Sequence, residues 1–240
     1  MRKLSMAAFA VIATSLQAQN PTRTPPPPRS SAYSIARIDA ATAPASLMLF
    51  DSMDTAMVAL ARLASTNDSA AALAANIRKK TNWLRGRWEN AKADPFSFRQ
   101  SFAYDVAVAR AAAADGDTDR VIGVLRTIND DIVEKADHCA LSASGMATPV
   151  RVSIRTLFNG KVSPNWQVLY MPKIMEFASD PTSAAMPFRV FSSPAIDDLA
   201  PGRYVVWARR PGPNGVESVR TTIRVGGGAS ELQQDIAVPR

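Results

Sequence analysis

Residues 149–161 read Pro-Val-Arg-Val-Ser-Ile-Arg-Thr-Leu-Phe-Asn-Gly-Lys, and their period of two decides what kind of fold follows. Val150, Val152, Ile154, Thr156 and Phe158 alternate with Arg151, Ser153, Arg155 and Leu157, the pattern of a half-buried strand. Asn159-Gly160 is a strong hairpin signal, because both residue types tolerate the positive φ that a tight two-residue turn demands. A second strand is expected over 165–171, with Trp166, Val168 and Tyr170 on one face and Pro172 marking a bend or an edge. Further strands are expected at 187–191, 203–210, 216–225 and 231–238, separated by Pro201-Gly202, the segment 211–215 and Gly226-Gly227-Gly228. Short strands at this spacing, with no helical period between them, predict an antiparallel β-sandwich over residues 149–240.

Upstream the period changes to that of a helix. Phe50, Met53, Met57, Leu60 and Ala64 follow a 3-4-3-4 spacing, one stripe of a first helix. Asp68 is placed to cap a second helix running to Lys92, with Leu73, Ile77, Leu84 and Trp88 on one side. Asp94-Pro95 ends it, since the residue before a proline avoids the helical region. Residues 97–114 form a third helix with Phe98, Phe102, Val106, Ala109 and Ala113 as its stripe. After the turn at Asp115-Gly116-Asp117, a fourth carries Val121, Leu125, Ile128, Ile132 and Cys139 on one face. Four such stripes must bury one another, and an antiparallel helical bundle over residues 44–145 is the expected solution. The fold class is therefore α+β in two domains.

At the other end, Met1-Arg2-Lys3, a short apolar stretch to Leu16 and the small residue Ala18 are the parts of a secretory signal peptide, residues 1–18. The stretch is shorter than the roughly 20 residues of a spanning helix. The prolines at 21 and 25–28 make residues 19–43 a stiff, Pro-rich spacer. A secreted or periplasmic location after cleavage near Ala18 follows. The 240 residues are 47% apolar and 20% charged, with one Cys and one His, so neither a disulfide framework nor a Cys/His zinc cage is available. Of the net charge of +7, most lies outside the helical half. Residues 44–145 carry 12 basic and 13 acidic side chains, whereas 149–240 carry 11 and 7. For an exported chain this balance points away from nucleic acid and toward anionic glycan or lipid, or simply toward solubility.

The stretches Asn159-Gly160-Lys161, Pro164-Asn165-Trp166-Gln167-Val168 and Leu199-Ala200-Pro201-Gly202-Arg203-Tyr204-Val205-Val206 resemble the carboxypeptidase regulatory-like, or transthyretin-like, sandwich domains of exported bacterial proteins. In those domains a post-hairpin strand and a leucine–x–proline–glycine–x–tyrosine strand start recur. The resemblance covers residues 149–240 and implies an accessory module that assembles or binds rather than catalyses.

Two sets of residues are candidates for binding. Arg78, Lys79, Lys80 and Arg87, with Trp83 and Trp88 among them, place cations and indoles on the second helix, a chemistry that clamps phosphates or enters a lipid headgroup layer. A solvated basic face over a tryptophan core is the plainer reading of the same residues. On the strand 203–210, Tyr204, Val206 and Ala208 point one way, leaving Trp207 and Arg209 on the face open to the bundle or to a ligand. Asp137-His138-Cys139 brings a thiol beside an imidazole, but helix neighbours project about 100 degrees apart. Cys139 is expected to be buried and inert, with a cationic His138 favoured at the helix end. Asp105, Asp130, Asp131, Asp197 and Asp198 read as solvated caps or loop residues, so no catalytic set, cofactor or metal is expected. The function expected is a non-catalytic interaction or scaffolding protein of the cell envelope, binding another envelope protein or itself. A module for anionic glycan or lipid is the alternative.

Overall fold

Apolar stripes of the spacing described above need one another, and in the computed structural model four helices supply them: α1 (Ser46–Leu63), α2 (Asp68–Glu89), α3 (Phe96–Asp115) and α4 (Thr118–Leu141). The structure describes residues 33–239, apart from 40, 66, 91–93, 95, 182–184, 190–192, 213–214 and the side chain of Phe96. The signal-peptide reading, most of the spacer and the end of the second helix at Lys92 lie outside the described residues. Asn67, one residue before Asp68, caps α2 by accepting from the Ala70 N–H at 3.1 Å. Asp117 caps α4 through the amides of Asp119 and Arg120. Every stripe residue named for the fourth helix is fully buried.

Cross-helix pairs fix the directions. Arg78 meets Asp54 and Arg85 meets Asp51, so α1 and α2 are antiparallel. Asn76 donates to Asn129 and Lys80 pairs with Asp137, so α2 and α4 run the same way. Directions thus alternate along the chain as expected of an antiparallel bundle, but the parallel pairs α1–α3 and α2–α4 are packed neighbours. The cause is aromatic: Phe98 and Phe102 pack on Phe50 and Trp88 with ring centroids 4.4–6.2 Å apart, drawing the start of α3 alongside the start of α1. Asp94 anchors that corner, accepting from the Trp88 indole at 3.2 Å and from the Ser46 amide at 3.1 Å.

After Pro149 the described residues hold eight strands: β1 (Val150–Phe158), β2 (Lys161–Val162), β3 (Gln167–Pro172), β4 (Met186–Pro187), β5 (Ala195–Leu199), β6 (Gly202–Gly212), β7 (Gly215–Val225) and β8 (Glu231–Ala237). Asn159 and Gly160, at φ 47° and 75°, make the β1–β2 turn. One sheet is built on β1, which pairs antiparallel with β2 and β5 and parallel with β8. The other has the order β4-β3-β6-β7, all antiparallel. The parallel β8 corrects the purely antiparallel reading, because strand direction leaves no trace in a period of two. Pro172 ends β3, and a 3-10 helix, Lys173–Phe177, follows.

Both sheets feed one apolar core: Val150, Val152 and Ile154 from the first, and Trp166, Val168, Val206 and Ala208 from the second. The helical core is not sealed off from the sheets. Met171, Ile174, Met175, Ala178 and Val205 belong to it, and Trp207 packs against it. Residues 31–240 accordingly form one compact unit.

Candidate functional site

Alternation along β6 sets up the site. Tyr204, Val206 and Ala208 point into the sheet core, and the Tyr204 hydroxyl donates to the Ala200 carbonyl at 2.9 Å, pinning the start of the strand. Val205, Trp207 and Arg209 therefore share the opposite face. Val205 is covered by the helices, Trp207 is half covered, and beyond it the sheet is open. There a groove of about 400 Å³ is lined by Gln167 and Leu169 of β3, Pro187 of β4, Trp207 and Arg209 of β6, and Val216 of β7. Register explains the grouping: Leu169 faces Trp207 and Pro187, Gln167 and Ser218 flank Arg209, and Val216 faces Pro211.

Leu169 is buried beneath the groove, while Val216 is 71% exposed, a β-branched side chain left in water. The cations around the groove differ. Arg210 stacks over Trp166 at 4.5 Å and pairs with Glu217, and Arg220 lies 5.9 Å from the Trp207 ring and pairs with Glu176. Arg209 donates to the neutral Gln167 amide oxygen at 3.0 Å and, among the described residues, meets no carboxylate. Trp207 and Arg209 were legible from sequence as an outward pair. Gln167, Leu169, Pro187 and Val216 were missed, although the outward set Asn165, Gln167, Leu169 is the complement of the inward Trp166, Val168, Tyr170.

The basic helix face is a different matter. Trp88 is buried in the aromatic corner and cannot reach a ligand, which corrects its place among the binding candidates. Trp83 is 38% exposed with the Arg87 guanidinium 5.0 Å over its ring. Arg78, Lys80 and Arg85 each meet a carboxylate of α1, α2 or α4, while Lys79 is exposed. Acids on neighbouring helices thus neutralise most of a face that looks uniformly cationic along the chain.

Sequence reasoning missed a second polar cluster altogether. Asp131, Glu134, Lys135 and His138 form one face of α4, and all are buried against the sheets. Asp131 accepts from the Arg203 amide at 2.7 Å and pairs with Lys135, whose ammonium also sits 3.4 Å from Asp105. Glu134 pairs with Arg224. Burial pushes the Asp105 carboxyl up to about 6 against the pull of Lys135, and burial likewise lowers Lys135. The expectation of solvated carboxylates is therefore corrected for Asp105 and Asp131, and for Asp197, which is buried beside Arg189 and the Tyr170 hydroxyl. Cys139 is buried, with its thiol on the Gly145 carbonyl at 2.6 Å and its pKa raised by burial. His138 accepts from the Gly228 N–H through Nδ1 at 3.2 Å, and burial lowers its pKa. A neutral, accepting ring replaces the cation expected at the helix end. Buried between α4 and the sheets, the cluster is a joint that fastens α4 to the start of β6 and to the β7–β8 turn. Gly226 and Gly228 belong to that joint, since a Cβ on Gly226 would stand 2.5 Å from Glu134 and one on Gly228 2.6 Å from Leu141.

No family model matches the chain, and no curated protein matches it. Among solved structures it is similar to a crystal structure of (S)-allantoin synthase, at 11% identity and a TM-score of 0.25. The match covers 66% of this chain and 66% of that one, so the chain spans just under two thirds of that protein. A likeness this slight carries no argument about fold or activity. Among the described residues no helix is long and apolar enough to cross a membrane.

Proposed function

We propose that this chain is an exported, non-catalytic interaction protein of the bacterial cell envelope. On this reading it is a helical bundle joined to a transthyretin-like β-sandwich, and it engages a partner protein through the open outer face of the β4-β3-β6-β7 sheet. The two sheets sharing one core, and the Tyr204 hydroxyl holding the Leu199–Tyr204 strand start, support the sandwich. The amino-terminal sequence supports export. The observation that carries the interaction reading is the groove: Pro187, exposed Val216 and half-covered Trp207 lie on the open sheet face beside Arg209, which among the described residues meets no acid. Apolar patches next to an unneutralised cation are where partner chains dock. The anionic glycan or lipid reading on α2 has less support, because Trp88 is buried and most of that face is already paired.

A photo-crosslinking residue in place of Val216, compared with one in place of Arg155 on the other sheet, tests the site in the host cell. The reading expects one defined adduct at 216, absent at 155 and lost on Arg209→Glu. Equal labelling at both positions, or adducts indifferent to Arg209, overturns it. Amino-terminal sequencing of the mature chain tests export, with Gln19 expected as the first residue.

A further inference from the structure

The groove has a direction. A second hollow, lined by Asn165, Arg210 and Pro211, shares Gln167, Arg209 and Val216 with the first, so the two together extend along β6 as well as across the sheet. Three rows follow one another on the β6 face: Trp207 with Leu169, then Arg209 with Gln167 and Ser218, then Pro211 with Val216. Residues two apart on a strand are about 6.8 Å apart, so the three rows span about 14 Å. An extended peptide has the same repeat. Laid along the trough, its first, third and fifth side chains come down on the three rows in step.

The rows ask for different chemistry. The first is an indole, a leucine and Pro187; the third is a proline and an exposed valine. The middle row carries the guanidinium held by Gln167. Arg210 and Arg220 have their own carboxylates, so the charge left for a ligand sits at the centre. A carboxylate there forms charge-assisted, two-toothed hydrogen bonds that an amide cannot match. We infer that the occupant is an extended segment of the partner protein with the pattern apolar–x–acid–x–apolar, its acid on Arg209 and its apolar side chains on the Trp207–Leu169 and Pro211–Val216 rows. This inference rests on the interaction reading above and names the chemistry of the partner.

Three fluorescein-labelled peptides with Gly-Ser flanks and cores Val-Thr-Glu-Thr-Val, Val-Thr-Gln-Thr-Val and Val-Thr-Lys-Thr-Val test it by fluorescence polarisation against the full chain. The Glu core is expected to bind at least about tenfold more tightly than the Gln core, in line with a hydrogen bond to a charged group. Arg209→Gln abolishes that preference, and Val216→Asp weakens both peptides. Both substitutions are of exposed side chains, and unchanged melting curves confirm that the variants are folded. Equal binding of Glu and Gln cores, or a preference that survives Arg209→Gln, overturns the inference. So does a chain that sediments as a dimer undone by Val216→Asp, since the occupant is then a second copy. Loss of peptide binding with the Val216 crosslink intact removes the peptide pattern alone; loss of both removes the interaction reading as well.

Discussion

Replacing Lys135 with methionine removes the single cation between two buried carboxylates. The lysine side chain is fully buried, Asp105 is buried with it, and the ammonium lies 3.4 Å from the Asp105 carboxylate while also pairing with Asp131. At an effective dielectric of about 20, a pair at this distance is worth about 5 kcal/mol of Coulomb energy. Measured losses for orphaning a buried ion-pair partner are about 3–5 kcal/mol. Lys135→Met is therefore expected to lower unfolding free energy by about 3–5 kcal/mol at pH 8, read as a fall in the urea midpoint at unchanged slope. The pH dependence distinguishes charge from packing. Burial already pushes the Asp105 carboxyl up to about 6 from 3.8 as a free side chain, and losing Lys135 moves it higher. A carboxyl whose folded pKa is raised binds protons more readily folded than unfolded, so its contribution falls as pH rises through the window from 3.8 to the folded value. The deficit is thus largest at pH 8 and shrinks at pH 5. Adding Asp105→Asn to Lys135→Met should recover part of the loss at pH 8, with Asp131 still held by the Arg203 amide, and this double variant keeps the test alive if the single one does not fold. A deficit below about 1 kcal/mol at pH 8, or one that is the same at pH 5, refutes the account of a charge-compensated joint.

Three further outcomes follow from the same structure. Gly86 in α2 has open space where a Cβ would go, so Gly86→Ala should stabilise the chain by about 1 kcal/mol, whereas Gly228→Ala, at φ +77° with Leu141 in the way, should cost about 1–3 kcal/mol; urea titrations of both check the contrast. His138 is the one imidazole in the chain, so its proton resonances titrate without overlap. Its folded pKa is lowered by burial, so the midpoint should fall below 6.5 and stability should drop as pH falls through the window beneath that value, and a midpoint at or above 6.5 would contradict its buried, accepting role. Cys139 should react with iodoacetamide at pH 7.5 at least about a hundredfold more slowly in the folded chain than in denaturant, since the buried thiol carries a raised pKa; rapid labelling of the native protein would contradict it.

Much of this molecule was readable from its residues. The stripes of α1 and α4 named buried side chains, and the inward set Tyr204, Val206 and Ala208 was right, because each depends only on local period and burial; in α3 Ala113 is only half-buried, while Tyr104, Asp105 and Val108 are buried off the stripe. What escaped was whatever depends on a neighbour distant in sequence. Asp131, Glu134, Lys135 and His138 have helical spacing, and a polar stripe has the same period whether it faces water or the end of a sheet. The signal that distinguishes them lies elsewhere in the chain, in Gly202, Gly226 and Gly228, where the backbone had to make room for these side chains. Trp88 continues the Leu84 stripe and Trp83 does not, yet both stood among the binding candidates. Only the aromatic corner with Phe50 and Phe98 decides that one is core and the other half exposed. The groove was half legible for the same reason. Trp207 and Arg209 stood out on β6, but Leu169, Pro187 and Val216 join them only once the strand order β4-β3-β6-β7 is known.

The parallel pairing of β8 with β1 joins Arg151 to Glu231 and Leu157 to Ala237. While the polypeptide is being synthesised, that flank of β1 has no hydrogen-bonding neighbour until the ribosome has delivered some eighty further residues. Through that interval a nascent chain presents bare amides and carbonyls beside Val152 and Ile154, a template for mispairing with a sister molecule. Termination after residue 177 and before residue 231 makes the exposure permanent, so such truncated products are expected among the insoluble fraction even though every helix has already been made.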